Sequence, residues 1–252
     1  MQPNRVLEKT RRGEVTLGCF VGLGSANVVE LLGHAGIQWL VLETEHNGLD
    51  SAEVEHLLRA ANTTPAVPIV RVPSANRVYI QRALDLGAMG VIVPLVRSAS
   101  EVDAIVRATR YPPHGTRSFG PLRASHYGLD NADYLANAND NMLVALIVET
   151  REALENIDAI AAVPGVDVLY LGLFDLCLSL GLNPLDLPHP EIDAAIEVVL
   201  ATARRHGVAV GNGASTADGI QALRKQGFTF IGFGPDYALL TAAVRAGVEA
   251  LR

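Results

Sequence analysis

The stretch "AGIQWLVLE", residues 35–43, decides the reading of the fold. Gly36 closes a helical segment, and an apolar run follows that ends in a carboxylate, Glu43. Glycine just past a helix end takes the left-handed conformation without steric penalty. The run shows no polar alternation, so it reads as a strand buried on both faces, as parallel sheets require. The same punctuation recurs in "LGAMGVIVP" (86–94), "PGVDVLYLG" (164–172), "HGVAVGNG" (206–213) and "QGFTFIGFG" (226–234). Segments such as "SAEVEHLLRAAN" (51–62) and "HPEIDAAIEVVLATARRHG" (189–207) lie between such runs and carry apolar residues at helical spacing.

Counted in this way, strands fall at about 15–21, 37–42, 67–71, 90–94, 143–148, 167–171, 207–211 and 228–232, alternating with helices throughout. An eightfold alternation in a chain of 252 residues predicts an α/β TIM (β/α)8 barrel forming a single domain over 1–252. The competing doubly wound sheet wants a glycine-rich phosphate turn after its first strand, and "VGLGSAN" (21–27) imitates one only weakly. The segment at about 110–135 is too long and too rich in proline and glycine for an ordinary βα loop. Loops of that length inside compact domains usually carry function, and that is the expectation here.

Composition narrows the function classes. Apolar residues make up 49% and charged residues 19%, enough for a sizeable core. A net charge of −7 argues against a nucleic-acid-binding surface. No apolar run has the length of a membrane span, and the opening "MQPNRVLEKTRRGEV" lacks the pattern of a secretory signal. Cys19 and Cys177 stand far apart in apolar contexts, so the expectation is a reduced, cytoplasmic protein without a disulfide framework. Only two lysines occur, Lys9 and Lys225, which leaves almost no candidate for a Schiff base at a strand end.

Catalytic groups of a barrel stand at the C-terminal ends of its strands. The residues just past each expected strand include Glu43, Glu45 and His46, then Arg71, then Glu149 and Asp175, with Arg123, Ser125 and His126 in the long loop. Glu149 and Asp175 follow neighbouring strands, where two unpaired buried carboxylates would repel one another. A divalent cation resolves that repulsion, and all-oxygen ligation points to Mg2+ or Mn2+. Taken singly, each acid reads equally well as a helix cap or an ion-pair partner. Arg71 is suited to a developing oxyanion, and His46 to proton transfer near neutrality, its competing reading being a plain loop histidine. On spacing alone Asp85 is an ordinary helix-terminal acid, Cys177 a small buried hydrophobe and His114 part of a turn.

The segments "VLETEH" (41–46), "VRVP" (70–73), "GVIVPLV" (90–96), "RYPPHGTRSFGPLRAS" (110–125), "IVETREALENIDAI" (147–160) and "LYLGLFDLCLSLG" (169–181) follow in order. Together they closely resemble the HpcH/HpaI family of metal-dependent, class II pyruvate aldolases. The resemblance implies a TIM barrel assembled as a hexamer, a trimer of dimers whose last helix is exchanged between partners. It implies a divalent cation (Mg2+ or Mn2+, with Co2+ a further option) and small-molecule substrates, a 2-oxo acid and an aldehyde. The implied reaction is reversible cleavage of 4-hydroxy-2-oxo acids to pyruvate, or a close 2-oxo acid such as hydroxypyruvate, and an aldehyde.

Residue by residue, the resemblance makes Glu149 and Asp175 the metal ligands and Arg71 the group that stabilises the enolate. It makes His46 the base, Glu45 an acid beside the cation's waters, and Asp85 an aspartate paired with the histidine. The backbone of Gly172, Leu173, Phe174 and Asp175 is implied to bind the substrate carboxylate, with Ser125 also in the substrate pocket. Glu43 stands where the family usually has aspartate, and Leu173-Phe174 interrupt its "G-P-x-D-L" pattern. Two alternatives stay open. One is other enolate chemistry, oxaloacetate decarboxylation or acyl-CoA condensation, the latter wanting a basic cluster at the mouth for which Arg107, Arg110, Arg117 and Arg123 are candidates. The other is a silent barrel that binds a 2-oxo acid.

Overall fold

The computed structural model describes all 252 residues. Eight strands close a ring in sequence order. They are β1 (Thr16–Val21), β2 (Trp39–Glu43), β3 (Val67–Arg71), β4 (Gly90–Val93), β5 (Leu143–Val148), β6 (Val168–Leu171), β7 (Ala209–Ala214) and β8 (Phe230–Phe233). All neighbours are parallel, and β8 returns to pair with β1. The expected TIM barrel is the observed fold. β7 runs past its expected end at 211, because Asn212, Gly213 and Ala214 pair with Ile231, Gly232 and Phe233 of β8. Pairing to a neighbour overrides the poor strand propensity of asparagine and glycine.

Alternation along each strand splits the apolar side chains into two layers. The inward set, including Val41, Ile69, Ile147, Tyr170 and Phe230, fills the barrel, and Val6 and Leu7 of the helix Arg5–Arg11 plug its lower end. Trp39 stacks on Phe230 with ring centroids 4.0 Å apart. Its indole needs the bare backbone of its register partner Gly18, where a Cβ would fall 1.8 Å from the ring. The outward set is larger, 46 buried residues against 14 inside, so most of the hydrophobic stabilisation lies between sheet and helices.

The long segment lies on the opposite face from the one expected. After β4 the helix Ala99–Ala108 runs back down the barrel, so the residues that follow emerge beside the strand N-termini. There Arg123 donates to the Leu86 carbonyl at 2.7 Å, and the Ala124 N–H donates to the Asp85 carbonyl. The segment is an αβ connection packed under the barrel. The last helix, Asp236–Glu249, buries only Asp236, while Tyr237, Leu240, Val244 and Val248 stay exposed along one stripe. No helix is long and apolar enough to cross a membrane.

Candidate active site

The site is the inward face of the barrel carried up by one more period. Two residues above Val41, Ile69 and Ile147 stand Glu43, Arg71 and Glu149, so the same alternation that fills the core aims these three inward. Strand register sets Glu43 directly beside Arg71.

Glu43 is a hub. Its Oε2 accepts from Arg71 Nη1 at 3.1 Å, while its Oε1 accepts the backbone N–H groups of Glu45 at 2.7 Å and His46 at 3.3 Å. The methylene by which it exceeds an aspartate provides reach across both. The other terminal nitrogen of Arg71 meets Glu45 Oε2, and the same oxygen lies 3.5 Å from His46 Nε2. Burial pushes the Glu45 carboxyl up, outweighing the opposing charges of Arg71 and His46. Arg71 Nε is buried with no hydrogen-bond partner, and Glu45 Oε2, though in charge contact, accepts no well-aligned hydrogen bond. Such groups are costly unless a ligand satisfies them. The His46 side chain is 61% exposed and open to the mouth.

Across the barrel Glu149 is only 2% exposed. Its Oε1 accepts the Leu95 N–H at 2.8 Å. Leu95 sits at φ 56, in the left-handed region that non-glycine residues seldom adopt, and this backbone turn accompanies the bond to Glu149. The other oxygen lies against Gly172, where a Cβ would come within 2.5 Å of it, so only glycine lets the carboxylate settle against β6. Burial first, then the charges of Glu45 and Asp175, pushes the Glu149 carboxyl up to about 7, against the Leu95 bond and Arg71. Asp175 is exposed in the first turn of the helix Leu173–Leu180. That helix has no side-chain cap, leaving the N–H groups of Leu173, Phe174 and Asp175 free for an anion.

This donor set fits a hard divalent cation: oxygen ligands only, excess negative charge, and a buried carboxylate that is costly as a lone anion. No group of three or more His, Cys, Asp or Glu side chains converges. Two carboxylates leave most coordination positions for water and substrate, the usual arrangement for catalytic magnesium.

Three groups of expected residues lie away from the mouth within the chain. Asp85 does not meet His46: it ends the helix that leads into β4, beside the strand N-termini, and its Oδ1 accepts from Arg117 Nη2 at 2.7 Å. Ser125 closes its own turn, donating to the Pro121 carbonyl at 2.6 Å, on the same lower face. The arginines proposed for a nucleotide are not at the mouth. Arg107 lies in the last turn of its helix, Arg110 donates to the Met142 carbonyl, and Arg117 and Arg123 are held by Asp85 and Leu86. Sequence reasoning also missed the Leu95 N–H, which a leucine does not signal. Asp236, visible only as the acid of "GFGPD", accepts the N–H groups of Gly22 at 2.9 Å and Leu23 at 3.2 Å and so ties the loop after β1 to β8.

A (β/α)8 barrel with this arginine–carboxylate wall, an accessible imidazole and a set of oxygen donors that fits a cation is equipped for charge stabilisation on an oxyanion. The family model described as HpcH/HpaI aldolase/citrate lyase matches residues 16–243, and the chain belongs to that family. It is 38% identical over 246 residues to a 2-dehydro-3,6-dideoxy-6-sulfogluconate aldolase of Pseudomonas putida, covering 96% of this chain and 94% of that one. It is 38% identical to a hydroxypyruvate/pyruvate aldolase of Pseudomonas aeruginosa, covering 96% of this chain and 90% of the relative. The crystal structure of a family member from Burkholderia cenocepacia J2315 superposes with a TM-score of 0.94 at 35% identity, covering 99% of both chains. The protein is a carbon–carbon lyase of the aldolase type.

Proposed function

We propose that this aldolase reversibly cleaves 4-hydroxy-2-oxo acids to an aldehyde and either pyruvate or hydroxypyruvate, with Glu149 and Asp175 holding Mg2+ or Mn2+, or Co2+ in their place. The observation that carries this reading is the burial of Glu149, 2% exposed, beside Asp175 and across the barrel from Arg71. When bound there, a divalent cation supplies Lewis-acid stabilisation of charge on the substrate's 2-keto oxygen.

The chain's own residues account for the rest. The free N–H groups of Leu173, Phe174 and Asp175 hold the carboxylate of the 2-oxo acid. Arg71 donates from its unpartnered Nε toward the keto oxygen and stabilises the negative charge that grows there. His46 takes the proton from the C4 hydroxyl as the C3–C4 bond breaks, leaving the aldehyde and an enolate. Glu45 lies 3.5 Å from the imidazole, and Glu43 keeps base and arginine in register. Protonation at C3 releases the 2-oxo acid. Lys9 and Lys225 sit on the helix Arg5–Arg11 and at the end of Ala217–Gln226, under the barrel, so an iminium route has no lysine at the mouth.

The exposed stripe on Asp236–Glu249 supports a homo-oligomer, and by family likeness a hexamer with that helix exchanged. Two free, buried cysteines suit a cytoplasmic setting. The test is to incubate the protein with pyruvate or hydroxypyruvate and a panel of aldehydes, with Mg2+, Mn2+ or Co2+ and after chelation by EDTA. Metal-dependent aldol products, and deuterium exchange at C3 of pyruvate, are expected. Activity that survives thorough chelation refutes the cation's role, and absence of both exchange and product favours the silent barrel.

A further inference from the structure

Tyr170 is a polar side chain inside the barrel with no part in the site described so far. Its ring packs on Phe20 and Phe230 at centroid distances of 5.4 and 6.5 Å, and the residue is 8% exposed. Its hydroxyl makes no hydrogen bond to the protein; it sits over bare backbone, where a Cβ at Gly213 or Gly232 would come within 3.2 or 2.9 Å of it.

Strand register says how high that hydroxyl reaches. Tyr170 pairs with Gly211, so Gly213 lies in the row of Gly172; Val148 pairs with Leu171, so Glu149 lies in that row too. Because such rows tilt by about one residue per strand around a barrel of this shear, the phenol stands level with Arg71 and Ile147, one inward layer below Glu149 and directly beneath the site. Helices close the barrel's sides, and Trp39 and Phe230 close it below, so the residual exposure of Tyr170 opens toward the mouth. Burial raises the phenol's pKa, keeping it a neutral donor, and the charge of Arg71 reaches it.

A phenylalanine would fill the same volume without an unpaired hydroxyl. A polar group entering from above explains why a tyrosine stands there. The keto oxygen and carboxylate of a 2-oxo acid already have Arg71, the cation site and the 173–175 amides. On a nucleophile of the hydroxypyruvate type, one polar group remains, the hydroxyl on C3. We propose that the Tyr170 hydroxyl hydrogen-bonds that C3 hydroxyl and selects hydroxylated 2-oxo acids over pyruvate. The assignment rests on the aldolase reading above.

The experiment compares wild type with Tyr170→Phe, using hydroxypyruvate and pyruvate as nucleophiles toward one aldehyde at saturating Mg2+, together with thermal melting. In Tyr170→Phe, kcat/KM for hydroxypyruvate is expected to fall about tenfold and that for pyruvate to change less than about twofold, with melting no lower than wild type. Gly213→Ala, which crowds the hydroxyl from the side, is expected to reproduce the selective loss. Equal losses with both nucleophiles, or no loss with either, overturn the proposal. A wild type that uses pyruvate but not hydroxypyruvate overturns it while leaving the aldolase reading intact. A wild type inactive with both, without C3 exchange, overturns the two together.

Discussion

Replacing Glu149 by glutamine removes a buried charge while keeping an oxygen to accept the Leu95 N–H, and the consequence for stability can be worked out. In the cation-free protein, burial pushes this carboxyl from an ordinary 4.5 up to about 7. That gap of about 2.5 pH units, at about 1.36 kcal/mol each, makes the ionised form about 3 kcal/mol less favourable in the folded chain than in the unfolded one. Because the folded pKa lies above the unfolded value, the folded state binds more protons between 4.5 and about 7. Stability therefore falls as pH rises through that window and stays low above it. For a chain of this size, about 3 kcal/mol corresponds to about 6–12 °C in melting temperature.

The assay is circular-dichroism melting in EDTA at about pH 5 and about pH 8, wild type beside Glu149→Gln. Wild type is expected to lose about 6–12 °C more than the variant between the two conditions. Mn2+ added at the higher pH is expected to raise the melting of wild type alone, since cation binding to the folded state stabilises by mass action. Parallel pH dependences in the two proteins would show that burial of Glu149 does not carry this cost. The fit to a cation would then lose its main physical support.

Arg71→Lys is expected to lower kcat/KM by about 100-fold or more with folding retained, because an ammonium cannot reproduce the guanidinium's planar set of donors. Turnover near wild type would argue against the enolate assignment. Asp85→Asn leaves the Arg117 guanidinium, 1% exposed, without its carboxylate, and is expected to cost about 3 kcal/mol or more. An unchanged melting temperature would mean that the tyrosine rings around Arg117 suffice. Asp at Leu240 and Val244 together (Leu240→Asp, Val244→Asp) is expected to shift the protein to a smaller species in light scattering, and an unchanged mass would exclude the stripe as an interface.

What the sequence determined by itself was local. Gly36, Gly87, Gly165, Gly207 and Gly227, chosen as helix-closing positions, all take positive φ, because the demand for a left-handed residue arises within one turn of chain. The apolar runs after them are strands, and strand order with a period of two already places Glu43, Arg71 and Glu149 beyond the core on the inward face. Tertiary structure decided everything that depends on which distant residues meet. The long segment looked like a mouth loop until the direction of the helix Ala99–Ala108 set it under the barrel, carrying Ser125 and Arg117 with it. Asp85 took Arg117 rather than His46 for the same reason. The Glu43–Arg71 bond, the Leu95 amide on Glu149 and the Tyr170 hydroxyl between two glycines carry no local pattern, since each is created only when separate strands are brought side by side.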